Sequence, residues 1–107
     1  MKRVITFNKN GNGSEYGLLR IPIDILKILN ISPNENNINI KFIDNKIILE
    51  KCNYSKESRK ITFDSKGIGI LRIPKIYLEV LNLSKENRKV NITLKDNKII
   101  ITNIKDL

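Results

Sequence analysis

Arg20-Ile21-Pro22-Ile23-Asp24-Ile25-Leu26-Lys27-Ile28-Leu29-Asn30-Ile31-Ser32 and Arg72-Ile73-Pro74-Lys75-Ile76-Tyr77-Leu78-Glu79-Val80-Leu81-Asn82-Leu83-Ser84 are two versions of one segment, separated by an offset of 52 residues. The match runs on without a gap: Asn39-Ile40 falls on Asn91-Ile92, and Asp44-Asn45-Lys46-Ile47-Ile48 falls on Asp96-Asn97-Lys98-Ile99-Ile100. Upstream, Ile5-Thr6-Phe7 matches Ile61-Thr62-Phe63 at an offset of 56, so the first copy carries four extra residues within Asn8–Leu19. They fall in the Gly-Asn-rich stretch around Gly11-Asn12-Gly13. Residues 1–52 are therefore read as repeat 1, the polar residues 53–59 as a connector, and residues 60–107 as repeat 2.

Within each copy the hydrophobic period changes in the same order. Arg3–Phe7 and Lys60–Asp64 read as first strands; a glycine turn follows, then second strands at Tyr16–Ile21 and Ile68–Ile73. Each Ile-Pro pair then predicts a helix start with proline at the first helical position, where its missing N–H costs nothing. Ile25, Leu26, Ile28 and Leu29 form the expected apolar face of the first helix, and Tyr77, Leu78, Val80 and Leu81 that of the second. Both helices should stop near Asn30 and Asn82, because asparagine tolerates the left-handed conformation just past a helix end. Alternation returns in Ile38–Phe42 and Val90–Leu94. The turn pairs Asp44-Asn45 and Asp96-Asn97 lead into closing strands at Lys46–Leu49 and Lys98–Thr102.

A chain of 107 residues is one ordinary domain or two pieces too small to stand apart, since units below about 40–60 residues bury too little surface to be secure alone. The copies must therefore share a core. The expected fold is mainly β with two short helices, an α+β arrangement in which two β-β-α-β-β repeats interleave their strands into one barrel. Isolated hairpins are marginal in water and leave edges unpaired, which is the drive for interleaving.

The single cysteine, Cys52, has no internal partner, and the absence of histidine leaves only carboxylates for a side-chain zinc site. No metal, cofactor or enzyme activity is expected. A general base near neutral pH would have to be a strongly shifted carboxylate or lysine, whereas the acids here lie on turns and exposed helix faces. Gly11-Asn12-Gly13-Ser14-Glu15-Tyr16-Gly17 has the spacing G-x-G-x-x-x-G and leads into a strand, so turn glycines account for it better than a phosphate-cradling loop. No apolar run reaches the ~18–20 residues that span a bilayer, and the expectation is a cytoplasmic protein with no membrane contact.

The formal charge is +9, with 20 basic and 11 acidic residues, and the second half is the more basic. Such a balance attracts polyanions. The abundance of Ile, Asn and Lys also has the look of an A/T-rich coding sequence, so charge alone is weak evidence for nucleic acid.

Arg-Ile-Pro, a short helical run, Leu-Asn-Ile/Leu, an alternating strand and Asp-Asn-Lys-Ile-Ile together resemble the DNA-binding domain of MazE antitoxins and AbrB/SpoVT regulators. The likeness covers nearly the whole chain, twice. It implies a double-psi, swapped-hairpin AbrB-like β-barrel, here formed by one chain as a pseudo-dimer with an internal two-fold axis, acting as a monomer or as a further homodimer. It also implies double-stranded DNA as partner and transcription regulation as role, with contacts from the first hairpins and the segment entering the helix. Carried onto this sequence, the DNA-binding positions are Arg20 and Arg72 before Ile-Pro, Lys9 and Lys66 at the hairpin turns, and the flanking Arg3 and Lys60. AbrB-type members place an arginine soon after the turn glycine and a basic pair within the helix. Here those places hold Leu18 or Ile70 and Leu26-Lys27 or Leu78-Glu79, so the MazE-type arrangement is nearer.

For Arg20 and Arg72 the alternative to DNA contact is a structural ion pair with a carboxylate of the other half; for the lysines it is ordinary solvated surface. The competing function is a protein-interaction module, antitoxin-like or a mobile-element inhibitor, that keeps the barrel without operator binding.

Overall fold

The computed structural model describes residues 1–106. Repeat 1 contributes β1 (Lys2–Val4), β2 (Thr6–Lys9), β3 (Glu15–Ile21), α1 (Ile23–Ile28), β4 (Asn37–Ile43) and β5 (Lys46–Lys51). The second half of the chain contributes β6 (Arg59–Lys60), which begins at the last residue of the connector, β7 (Thr62–Phe63), β8 (Gly69–Pro74), α2 (Lys75–Val80), β9 (Lys89–Lys95) and β10 (Lys98–Asn103), and a 3-10 turn follows at Ile104–Asp106. The expected class, mainly β with two short helices, is what forms.

Every pairing is antiparallel, in a six-stranded sheet of order β1-β9-β10-β5-β4-β6 and a four-stranded sheet of order β2-β3-β8-β7. The first strand of each copy is shorter than its sequence pattern because it is split between these sheets. Residues 2–4 pair with β9 and residues 6–9 with β3; likewise 59–60 pair with β4 and 62–63 with β8. Ile5 and Ile61 mark the crossings. Both side chains are fully buried, and their N–H groups donate to Arg88 O at 2.9 Å and Asn36 O at 3.0 Å. The outer piece of each first strand thus belongs to the sheet edge supplied by the other copy.

The register is self-consistent about a local two-fold axis. Leu19 faces Leu71 in the small sheet and Ile48 faces Ile100 in the large one, and each of these pairs joins equivalent positions of the two copies. A single cluster of twenty buried hydrophobic residues, ten from each half, fills the space between the sheets and helices. Ile5, Leu19, Ile21, Leu26, Ile38 and Ile47 meet their counterparts Ile61, Leu71, Ile73, Leu78, Val90 and Ile99 there.

The turn chemistry follows the sequence. Asp44, Asn45, Asp96 and Asn97 all have positive φ, between 50° and 60°, as the right-handed twist of a two-residue hairpin requires. Asn30 and Asn82 sit at φ 57°. Ile31 N–H reaches Leu26 O and Asn30 N–H reaches Lys27 O, with Leu83 to Leu78 and Asn82 to Glu79 in the second copy; these are Schellman closures.

Two expectations about the helices are corrected. Pro22 and Pro74 are not the first helical residues: with ψ of 146° and 152° they are the extended residues before the helix, where fixed φ ends the strand and the carbonyl can accept the first helical bonds. Ile28 and Val80 do not belong to the buried faces, being 61% and 39% exposed. At about 100° per residue, Ile25, Leu26 and Leu29 share one arc while Ile28 falls about 60° outside it; the same holds for Val80 against Tyr77, Leu78 and Leu81.

Gly17 and Gly69 occupy equivalent strand positions and are not turn glycines. A Cβ on Gly17 would lie 2.6 Å from Ile5 Cγ2 and 3.1 Å from a Leu78 methyl; on Gly69 it would lie 2.7 Å from a Leu26 methyl. Each glycine makes room for the helix leucine of the other copy.

Candidate nucleic-acid interface

The outer face of the four-stranded sheet is set by strand alternation. In β3, Gly17, Leu19 and Ile21 point into the core, which turns Tyr16, Leu18 and Arg20 outward. In β8, Gly69, Leu71 and Ile73 point inward, and Ile70, Arg72 and Pro74 outward. Leu18 faces Arg72 and Arg20 faces Ile70. The two arginines therefore stand diagonally across the two-fold axis, as positions whose Cα atoms are roughly 7–8 Å apart in a typical sheet. Both are exposed, and among the described residues neither pairs with a carboxylate.

Lys9 ends β2, exposed, opposite Glu15. Lys66 lies in the β7–β8 turn, its N–H donating to Asp64 Oδ1 at 2.8 Å. Because β3 and β8 run antiparallel, these hairpin tips lie at opposite ends of the sheet, each with an acid nearby that lowers the local potential.

Arg3 and Lys60 flank the first hairpins along the chain, shortly before β2 and β7, and are not members of this sheet. They lie on β1 and β6 of the larger sheet, because each first strand changes sheets at Ile5 or Ile61. Nor are they equivalent: the registers Arg3↔Val90 and Arg59↔Ile38 match Arg3 to Arg59, which leaves Val4 as the counterpart of Lys60. Arg3 nonetheless approaches the arginine face. With Arg20 it borders a shallow depression of about 450 Å³ floored by Val4, Pro22, Ile23 and Ile68.

Two features were not foreseen. The Arg72 guanidinium lies over the Tyr16 ring, 3.7 Å from its centroid, and an Nη2 N–H donates to Asn10 Oδ1. Asn10 comes from the inserted stretch, which has no counterpart aligned in sequence in the second copy, and Tyr16 follows it in β3, where the second copy has Ile68. A basic flank also forms where Lys85, Arg88, Lys89 and Lys105, with Glu86 and Val4, border a cleft of about 400 Å³. Its signal was present in the sequence: Lys85-Glu86-Asn87-Arg88-Lys89 replaces Pro33-Asn34-Glu35-Asn36-Asn37 of the first copy.

Among the described residues no group of side chains is arranged to hold a metal ion, and no helix is long and apolar enough to cross a membrane. Cys52 is half-buried and unpaired. The chain matches no known family profile, no curated protein and no solved structure.

Proposed function

We propose that this chain is a DNA-binding transcription regulator of the AbrB/MazE kind, built as a swapped-hairpin barrel from two fused repeats. The observation that carries the reading is the placement of Arg20 and Arg72. They belong to the same repeated tripeptide and project from one exposed sheet surface on either side of a two-fold axis. A two-stranded β ribbon fits the major groove of B-DNA, and an arginine can pair with guanine O6 and N7 there. The exchange of first-strand pieces between the repeats supports the swapped-hairpin assignment. The charge of +9 supports attraction to a polyanion, with Lys9, Lys66, Arg3 and Lys60 available for phosphates at the rim.

The test is anisotropy with a labelled mixed-sequence duplex across a salt series. Neutralising about six phosphates lowers affinity roughly a thousandfold between 50 and 200 mM salt. A flat response removes the reading.

A second reading, a protein-interaction module, is favoured by the outward apolar residues Ile28 and Ile76 on the helices, 61% and 65% exposed. A stoichiometric protein partner whose binding is lost in Ile28→Ser and Ile76→Ser, with no DNA binding, would select it.

A further inference from the structure

The two arginines are equivalent in sequence and unequal in surroundings. Tyr16 faces Pro74, and its ring forms a platform under Arg72. Asn10, which accepts from the same guanidinium, is itself held: its N–H donates to Ser14 O at 2.7 Å, its Nδ2 donates to Ser14 Oγ at 2.7 Å, and its carbonyl accepts from Gly13 N–H at 2.9 Å. Asn12 Oδ1 accepts from both the N–H and the hydroxyl of Ser14, which ties the inserted turn together. Arg72 is therefore clamped from below and from the side by a small ordered turn.

The counterpart of Tyr16 is Ile68, which has no π face, and the second hairpin has shorter strands, its turn closing in the same way with Asp64 where the first has Asn10. Arg20 instead stands beside the open depression it shares with Arg3. An arginine already held in one conformation loses less side-chain entropy when it binds. A planar guanidinium spending one N–H on Asn10 keeps others free for a bidentate contact.

From these contacts, and resting on the DNA-binding reading above, we infer that the halves read DNA unequally. Arg72 is the specificity-determining arginine, set by Tyr16 and Asn10 to recognise one guanine. Arg20 supplies charge without a comparable base preference. The target is accordingly a non-palindromic duplex bound in one orientation.

The experiment is selection from a randomised double-stranded DNA pool by the full chain, sequenced and repeated with Tyr16→Ile, Asn10→Ala, Arg72→Ala and Arg20→Ala, each first checked for an unchanged far-ultraviolet spectrum. The wild-type motif is expected to carry one strong and one weak half. On the best selected duplex Arg72→Ala costs roughly tenfold to a hundredfold, the range of one bidentate base contact, and Arg20→Ala costs much less. Tyr16→Ile, which copies the second repeat, and Asn10→Ala flatten the strong half. A wild-type motif with equal halves overturns the inference and leaves DNA binding standing, as does a strong half that both variants leave intact or an Arg20→Ala loss equal to that of Arg72→Ala. A pool with no enriched sequence overturns the inference together with the sequence-preferring DNA reading on which it rests.

Discussion

Gly17 and Gly69 show how much a single hydrogen at Cα can decide. A methyl at either position meets an isoleucine methyl inside contact distance and crowds the leucine that arrives from the opposite helix. Gly17→Ala and Gly69→Ala are each expected to lower stability by about 1–3 kcal/mol, the usual cost of overpacking a filled core, measured by urea unfolding. Both glycines align at the repeat offset, yet their role was not legible, because only the packed structure reveals that a neighbour occupies the place of the missing side chain. Arg20 and Arg72 were legible through repetition. Asn10 was not, since a residue within a one-sided insertion has no partner in the sequence alignment to be compared with, and neither was Tyr16, whose counterpart Ile68 differs in kind so that repetition did not single it out. Glu35 offers a smaller test. Its hydrogen bond and ion pair with Lys51 at 2.8 Å hold its carboxyl below the ordinary value of 4.5. The contribution is therefore present above the ordinary carboxylate pKa and lost as pH falls through the depressed one. Glu35→Gln should remove that part of the acid-side loss in a pH series of melts, with stability at pH 7 little changed because the site is open to solvent.

At the level of elements, helices of six residues are too short to persist alone in water and depend on their closures and on the leucines they bury. Asn82→Ala places a side chain that cannot bond locally at φ 57° and should cost about 1 kcal/mol, whereas Asn82→Gly should be close to neutral; thermal melts of the pair separate backbone strain from lost packing. Turn and helix-end asparagines were readable because positive φ restricts which residues fit. The division of each first strand was harder to see. Alternation tells which side chains turn inward, and it continues through Ile5 and Ile61, but it carries no information about which neighbouring strand accepts the hydrogen bonds. The surplus apolar positions Ile28 and Val80 misled for a related reason: a helix of so few turns has too little length for periodicity to separate the edge of a face from its centre.

For the molecule as a whole, each repeat supplies half of one core and lends the edge strand of the other's sheet. Residues 1–52 made alone are expected to be unfolded at low concentration or to pair with a second copy of themselves, and sedimentation with circular dichroism would distinguish these outcomes from a packed monomer, which the shared core does not permit. The pairing of β1 with β9 has a further bearing on how the protein is made. Residues 2–4 are synthesised well before residues 89–91, the partners with which they pair. The nascent chain must carry that edge unmatched until β9 has been made, and contacts so distant along the chain favour slow folding over the rapid collapse of helical proteins.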